Sequence, residues 1–122
     1  MKFKGIAFTR YPITDVVRAR EFYEAALGLK ATDIYKGKQN IWIEYDIGSG
    51  TLALVSGNDI SQSTAEGTCV ALELADDFDE AIKSLKLKGV KFVIEPHATG
   101  VCRNATIADP DGNLIVIHKR KQ

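Results

Sequence analysis

A chain of 122 residues, 45% apolar and 26% charged, suits one compact domain with a packed core and is too apolar to remain disordered. Sixteen Lys and Arg balance sixteen Asp and Glu, so no net field draws in nucleic acid or an acidic membrane; the basic Lys119-Arg120-Lys121 run reads as a solvated tail. No stretch has the pattern of a signal peptide or a membrane span, and Cys69 and Cys102 lack CxxC spacing, which together point to reduced thiols in a cytoplasmic protein.

Lys4 to Thr9 is short, apolar-rich and β-compatible, and predicts a first strand that Pro12 ends. Asp15 to Leu27 predicts a helix, with Asp15 as its N-cap and Gly28 positioned to close it in the left-handed conformation. Three strands follow, at about 31–35, 41–47 and 51–55. The middle one alternates Ile41, Ile43, Tyr45 and Ile47 against Trp42, Glu44 and Asp46. Lys36 to Asn40 and Gly48-Ser49-Gly50 supply the turns, and the latter lacks the longer glycine pattern and lysine of a phosphate loop.

Gly57 to Gly67 is polar and reads as a linker able to fold over a pocket. Thr68 to Leu74 predicts a strand, Asp76 to Lys88 a helix closed by Gly89, and Val90 to Ile94 another strand. Glu95 to Gly100 reads as a turn or a bulged edge. Val101–Ala108 and Leu114–Lys119 form a terminal hairpin around Asp109-Pro110-Asp111-Gly112-Asn113, whose carboxylates the turn itself explains. Asp15 and Asp76, Gly28 and Gly89, and Leu29 and Val90 are separated by one constant offset, which points to an internal duplication. The fold class is therefore α+β: two tandem βαβββ modules, about 3–56 and 67–119, joined by a linker at 57–66. Neither half buries much core alone, so they are expected to form a single domain, 1–122. In it a curved, partly open mixed sheet surrounds a central cavity.

The run from Asp15 to Leu29, DVVRAREFYEAALGL, resembles the D-x-x-R-A-x-x-F-Y-x-x-x-L-G-L stretch of the vicinal oxygen chelate superfamily. That group holds glyoxalase I, the bleomycin resistance proteins and the extradiol dioxygenases. Asp109-Pro110-Asp111-Gly112-Asn113 before an apolar strand is similar to its second signature, and Gly67 to Asp77 to the start of its second module. The resemblance implies two half-barrel modules and, in the family's enzymes, a divalent metal held by His, Gln or Glu on first and last strands. Carried over one at a time, those positions fall on Phe8, Ala53, Val70 (with Cys69 beside it) and Val116. None of the four offers imidazole, carboxylate or thiolate, so the resemblance implies no metal and no other cofactor here. Activities that need such a Lewis acid lose their support. The superfamily also implies a homodimer.

Other residues remain as candidates for contact with a ligand. Phe8 puts a flat apolar surface where a metal ligand would stand, and Trp42 alternates away from the helix-packed residues; each is either a platform for a planar ligand or filling for a closed barrel. Arg10 shares the side of Phe8 and suits an acidic ligand or Glu44. His118 shares the side of Val116 and is either an acid–base group or a rim histidine; His97 reads as a surface residue in a turn. In the terminal hairpin, residues whose numbers sum to 221 or 222 face one another. Asn104 or Arg103 then lies opposite His118, with Cys102 beyond. Arg103 next to Cys102 would lower its pKa, yet no third residue is identifiable to orient a Cys–His pair, and no catalytic residue is assigned.

The expected site is thus ligand-binding: Phe8, Arg10, Trp42, Val70, Cys102, Val116 and His118. The function it implies is metal-independent binding of an unidentified small molecule, in the manner of bleomycin resistance proteins. No nucleic acid or membrane is expected as partner. The alternatives are a glyoxalase-like lyase or isomerase, or a dioxygenase-related enzyme, with a divergent site, and a regulatory domain with a filled barrel.

Overall fold

Both modules build the same four-stranded mixed sheet, in which the first strand pairs in parallel with the last. The computed structural model describes residues 1–4, 6–57, 69–100 and 102–121, and these divide into two compact units, one per module. Most of the expected linker, Thr68 and Val101 lie outside the described residues.

In the first unit, β1 (Thr9–Pro12), β2 (Asp33–Lys36), β3 (Ile41–Ile47) and β4 (Gly50–Ser56) lie in the order β1-β4-β3-β2. The β1–β4 pair is parallel and the others antiparallel. The first strand is later than the expected 4–9, and Pro12 does not stop it. Pro12 is its last residue, opposite Val55, on an edge strand where a missing N–H costs one outward-facing bond at most. Ile13 continues the contact by donating to the Val55 carbonyl at 2.9 Å.

The connecting helix opens as expected: the Asp15 carboxylate accepts the Arg18 N–H at 3.0 Å. It does not continue as one α-helix. Five residues of α-helix, α1 (Val16–Arg20), give way to a π-helical stretch over Glu21–Ala26. The Leu27 N–H reaches back five residues to Phe22 and the Leu29 N–H reaches Tyr23, both at 3.0 Å. In the second unit, α2 (Phe78–Leu87) is regular and its cap is Asp77, not the expected Asp76; Asp77 accepts the Glu80 N–H at 3.0 Å. The constant offset therefore fails at the caps, although both closing glycines, Gly28 and Gly89, have positive φ (74° and 75°). The first helix carries one residue more between cap and glycine, and a π turn is how a helix absorbs a single extra residue.

The helix of the first unit covers one sheet face. Tyr23 stacks on Tyr45 with centroids 6.0 Å apart, and the Tyr45 hydroxyl donates to Glu24 at 2.9 Å. Glu24 also takes two bonds from Arg20, at 2.6 and 3.1 Å. Burial and this bond push the Tyr45 phenol pKa up, whereas Arg20 first, with Tyr45, holds Glu24 below the usual carboxylate range. Ile43, Tyr45, Leu52 and Leu54 form the covered face and are fully or almost fully buried.

The second unit places β5 (Val70–Glu73), β6 (Lys91–Ala98), β7 (Cys102–Ala108) and β8 (Leu114–Arg120) in the order β5-β8-β7-β6. Helix α2 buries Phe78, Ile82 and Leu85. Arg103 of β7 lies over the Phe78 ring, 4.5 Å from its centre, and pairs with Asp79. Arg103 thus marks the helix side, which holds the buried Ala105, Ile107, Ile115 and Ile117. The Glu95–Ala98 stretch is the bulged edge rather than the turn: β6 runs on through Pro96 and His97, with register shifts after Phe92 and Ile94. Among the described residues, no helix is long and apolar enough to cross a membrane.

Candidate functional site

In each unit the candidate residues, Val70 excepted, gather on the sheet face opposite the helix. In the first sheet two cross-strand rows define that face. One is Arg10, Ala53, Glu44 and Asp33; the other is Pro12, Val55, Trp42 and Tyr35. Phe8 precedes β1 and packs edge-on against Trp42, with centroids 5.1 Å apart and planes at 89°. The Trp42 indole N–H donates to Glu44 at 2.8 Å, so Glu44 is engaged by Trp42 and not by Arg10. Phe8 remains 46% exposed, which leaves ring surface for a further contact.

Three carboxylates share this face: Asp33, Glu44 and, by alternation, Asp46. Their field is felt at Tyr35, whose phenol pKa Asp33 raises most, followed by desolvation, Glu44 and Asp46. The acidic character depends on the β2–β3 register, which sets Asp33 opposite Glu44; residue spacing alone does not reveal it.

The second sheet carries different chemistry. Val116 sits between Ala71 and Thr106, and His118 between Glu73 and Asn104. Every β7–β8 pair sums to 222, so Asn104, and not Arg103, is the residue opposite His118. Val70 pairs instead with Ile115 and shares the helix side, so it stands apart from Val116 and His118. A glutamate completes the polar row: His118 Nδ1 lies 2.6 Å from a Glu73 carboxylate oxygen, and the other oxygen accepts the Arg120 N–H at 2.9 Å. Cys102 is diagonal to His118 on the same face and only 6% exposed. Its sulfur lies 3.3 Å from the Thr99 hydroxyl and accepts the Asn104 amide at 3.5 Å.

These contacts move three pKa values together. The Thr99 and Asn104 bonds, with His118 behind them, lower that of the Cys102 thiol against the effect of its burial. The Glu73 bond raises that of His118, and the Arg120 N–H followed by His118 lowers that of Glu73. Glu73 is the orienting residue that the hairpin alone does not supply. It arrives through parallel pairing with β8, from 45 positions away in sequence, and leaves no local signal. His97 lies opposite Asn104 on the edge strand, is exposed, and its ring nitrogen meets the Glu95 carbonyl at 3.1 Å.

The residues at the metal positions that the family resemblance implies do not fit a divalent ion. Phe8, Ala53 and Val116 carry no donor, Val70 turns to the helix side, and its neighbour Ala71 also has none. Cys69 is exposed just before β5. Among the described residues, no group of three or more His, Cys, Asp and Glu is placed to hold a metal.

Solved structures repeat this architecture along the whole chain. One is TnmS3, an antibiotic binding protein from Streptomyces sp. CB03234, at TM-score 0.79 and 24% identity, covering 99% of each chain. Another is the fosfomycin resistance protein FosX from Listeria monocytogenes, at TM-score 0.78 and 16% identity, covering 98% of this chain and 96% of that one. A third is a glyoxalase/bleomycin resistance protein from Streptomyces sp. CB03234, at TM-score 0.73 and 25% identity, covering 96% and 100%. No curated protein sequence matches the chain. The model of one protein family matches residues 5–117, almost its full length, and so the chain belongs to the Glyoxalase/Bleomycin resistance protein/Dioxygenase superfamily.

Proposed function

We propose that the protein binds a planar, positively charged small molecule without a metal, and that it does so as a homodimer. The observation that carries this reading is the Phe8–Trp42 pair, open on one side and set beside Glu44. Edge-to-face aromatics give a planar guest a stacking surface, and carboxylates beside them favour a cationic guest over an anionic one. Arg10, on the same face, suits an acidic substituent of that guest. TnmS3, an antibiotic binding protein of the same fold, gives a precedent for binding.

Binding is read from the fluorescence of Trp42, the single tryptophan. A cationic acridine is expected to quench it saturably and an anionic naphthalene sulfonate to leave it unchanged. A Phe8→Ala variant should weaken the acridine about tenfold, the loss of one aromatic contact. Native mass spectrometry of protein purified without added metal should show a metal-free dimer. About one divalent ion per chain, or equal quenching by both dyes, would overturn the reading.

A further inference from the structure

We propose that Cys102, diagonal on one sheet face to a His118 that Glu73 orients, is a nucleophilic thiol that adds covalently to α,β-unsaturated carbonyl compounds. The inference concerns the second sheet alone and goes beyond the binding reading, because a thiol can react whether or not the aromatic face holds a guest.

The argument starts from what surrounds the sulfur. A buried cysteine used only for packing sits among apolar groups, which raise its pKa and leave it inert. Cys102 instead meets a hydroxyl at 3.3 Å and an amide N–H at 3.5 Å, and shares its face with an imidazole. Thr99 is itself fixed, since its hydroxyl accepts the Cys102 N–H at 3.1 Å and its N–H donates to the Cys102 carbonyl at 2.8 Å. The imidazole is held from behind by Glu73, which is anchored by the Arg120 N–H. A nucleophile, a base and a group that orients the base therefore sit on adjacent strands. Two cationic side chains and a second imidazole also stand near the thiol. Arg120 is opposite Cys102 on β8, Lys121 donates to the Thr99 carbonyl at 2.7 Å, and His97 lies one strand away opposite Asn104. Helix α2 packs on the far side of the sheet, where Asp79 is taken by Arg103. The lowered thiol and raised imidazole pKa values agree in favouring the thiolate–imidazolium pair.

The substrate class follows from the proton balance. The thiolate sulfur forms a bond to the β-carbon of the unsaturated carbonyl. The carbon–carbon π electrons move toward the carbonyl, giving an enolate. The proton that left Cys102 for His118 is delivered to the α-carbon. No group leaves, nothing is oxidised or reduced, and the imidazole ends neutral.

N-ethylmaleimide, itself such an electrophile, tests this on the intact protein, with Cys69 and Cys102 labelling resolved by peptide mass. Exposed Cys69 is the reference thiol in the same sample. At about pH 6, Cys102 is expected to add maleimide at least about tenfold faster than Cys69, a rate set by thiolate fraction. His118→Asn should remove most of that advantage, and Glu73→Gln should move the pH midpoint of Cys102 labelling upward with unchanged far-UV circular dichroism. The proposal is overturned if Cys102 stays unlabelled in the folded protein while Cys69 reacts. It is also overturned if the Cys102 pH profile is the same in wild type and both variants.

Discussion

The two modules share topology and differ in what they expose. Opposite its helix, the first sheet presents aromatic rings and carboxylates: Phe8, Trp42, Tyr35, Asp33 and Glu44. The second presents a thiol and, diagonal to it, an imidazole hydrogen-bonded to a carboxylate. Their last hairpins differ as well. β3 and β4 are joined by the two residues Gly48 and Ser49, with Gly48 at φ 58°, as a primed two-residue turn requires. β7 and β8 need the five residues Asp109–Asn113, organised by the buried Asp109 carboxylate. A duplicated framework thus keeps the strand pairing that buries the core and varies the outward residues and turns, which the pairing leaves free.

The largest expected effects test how far the two halves act together. Leu54→Ala in the first sheet and Ile107→Ala in the second remove fully buried side chains and should each cost about 3 kcal/mol. Modules of this size are marginal alone, so Trp42 fluorescence and far-UV circular dichroism should report one coincident transition in both variants. Separate transitions would make the modules independent folding units.

The hairpins offer the next contrast. Asp109 accepts the Asp111 and Asn113 N–H groups at 2.9 and 2.8 Å and the Asn113 amide at 2.7 Å. Asp109→Ala strands those buried donors and should cost about 2–3 kcal/mol in urea unfolding, whereas Ser49→Ala in the short turn should stay within about 0.5 kcal/mol.

Tyr45→Phe removes the hydroxyl that ties the first helix to its sheet through Glu24, which keeps Arg20. A loss of about 1 kcal/mol is expected in thermal unfolding.

The smallest effect is in pH dependence. His118 has a raised pKa in the folded state, so its contribution is complete below its unfolded value of about 6.5 and fades as pH rises through the raised value. Glu73 has a lowered one, so its contribution is complete above about 4.3 and fades as pH falls through the lowered value. The pair should stabilise most between those two limits. Glu73→Gln should flatten the melting temperature against pH on either side of that window, and no flattening would remove this distinction between the modules.

Elements with a clear local pattern were legible in the sequence. The alternation at Ile41–Ile47 matched β3, Asp15 capped its helix, and the hairpin arithmetic narrowed the residue opposite His118 to Arg103 or Asn104, the latter being the one observed. Phe8 and Trp42 were readable as aromatics near a ligand position, though their contact was not. What escaped depended on distant pairing. β1 is fixed by its register with β4, not by its own short apolar run, which is why it starts at Thr9. Val70 takes its side from Ile115, and Glu73 meets His118 through the same parallel pairing. One-residue uncertainty is harmless for a helix but decides which face a strand residue joins.

The π stretch at Glu21–Ala26 shows where such a framework accepts change in length. A residue added inside a strand would reverse every side chain beyond it. Added to the covering helix, it is taken up within one turn, and the chain still leaves through a left-handed glycine in both modules. The helix therefore works as an expansion joint: the module can lengthen there by one position while every strand keeps its partner.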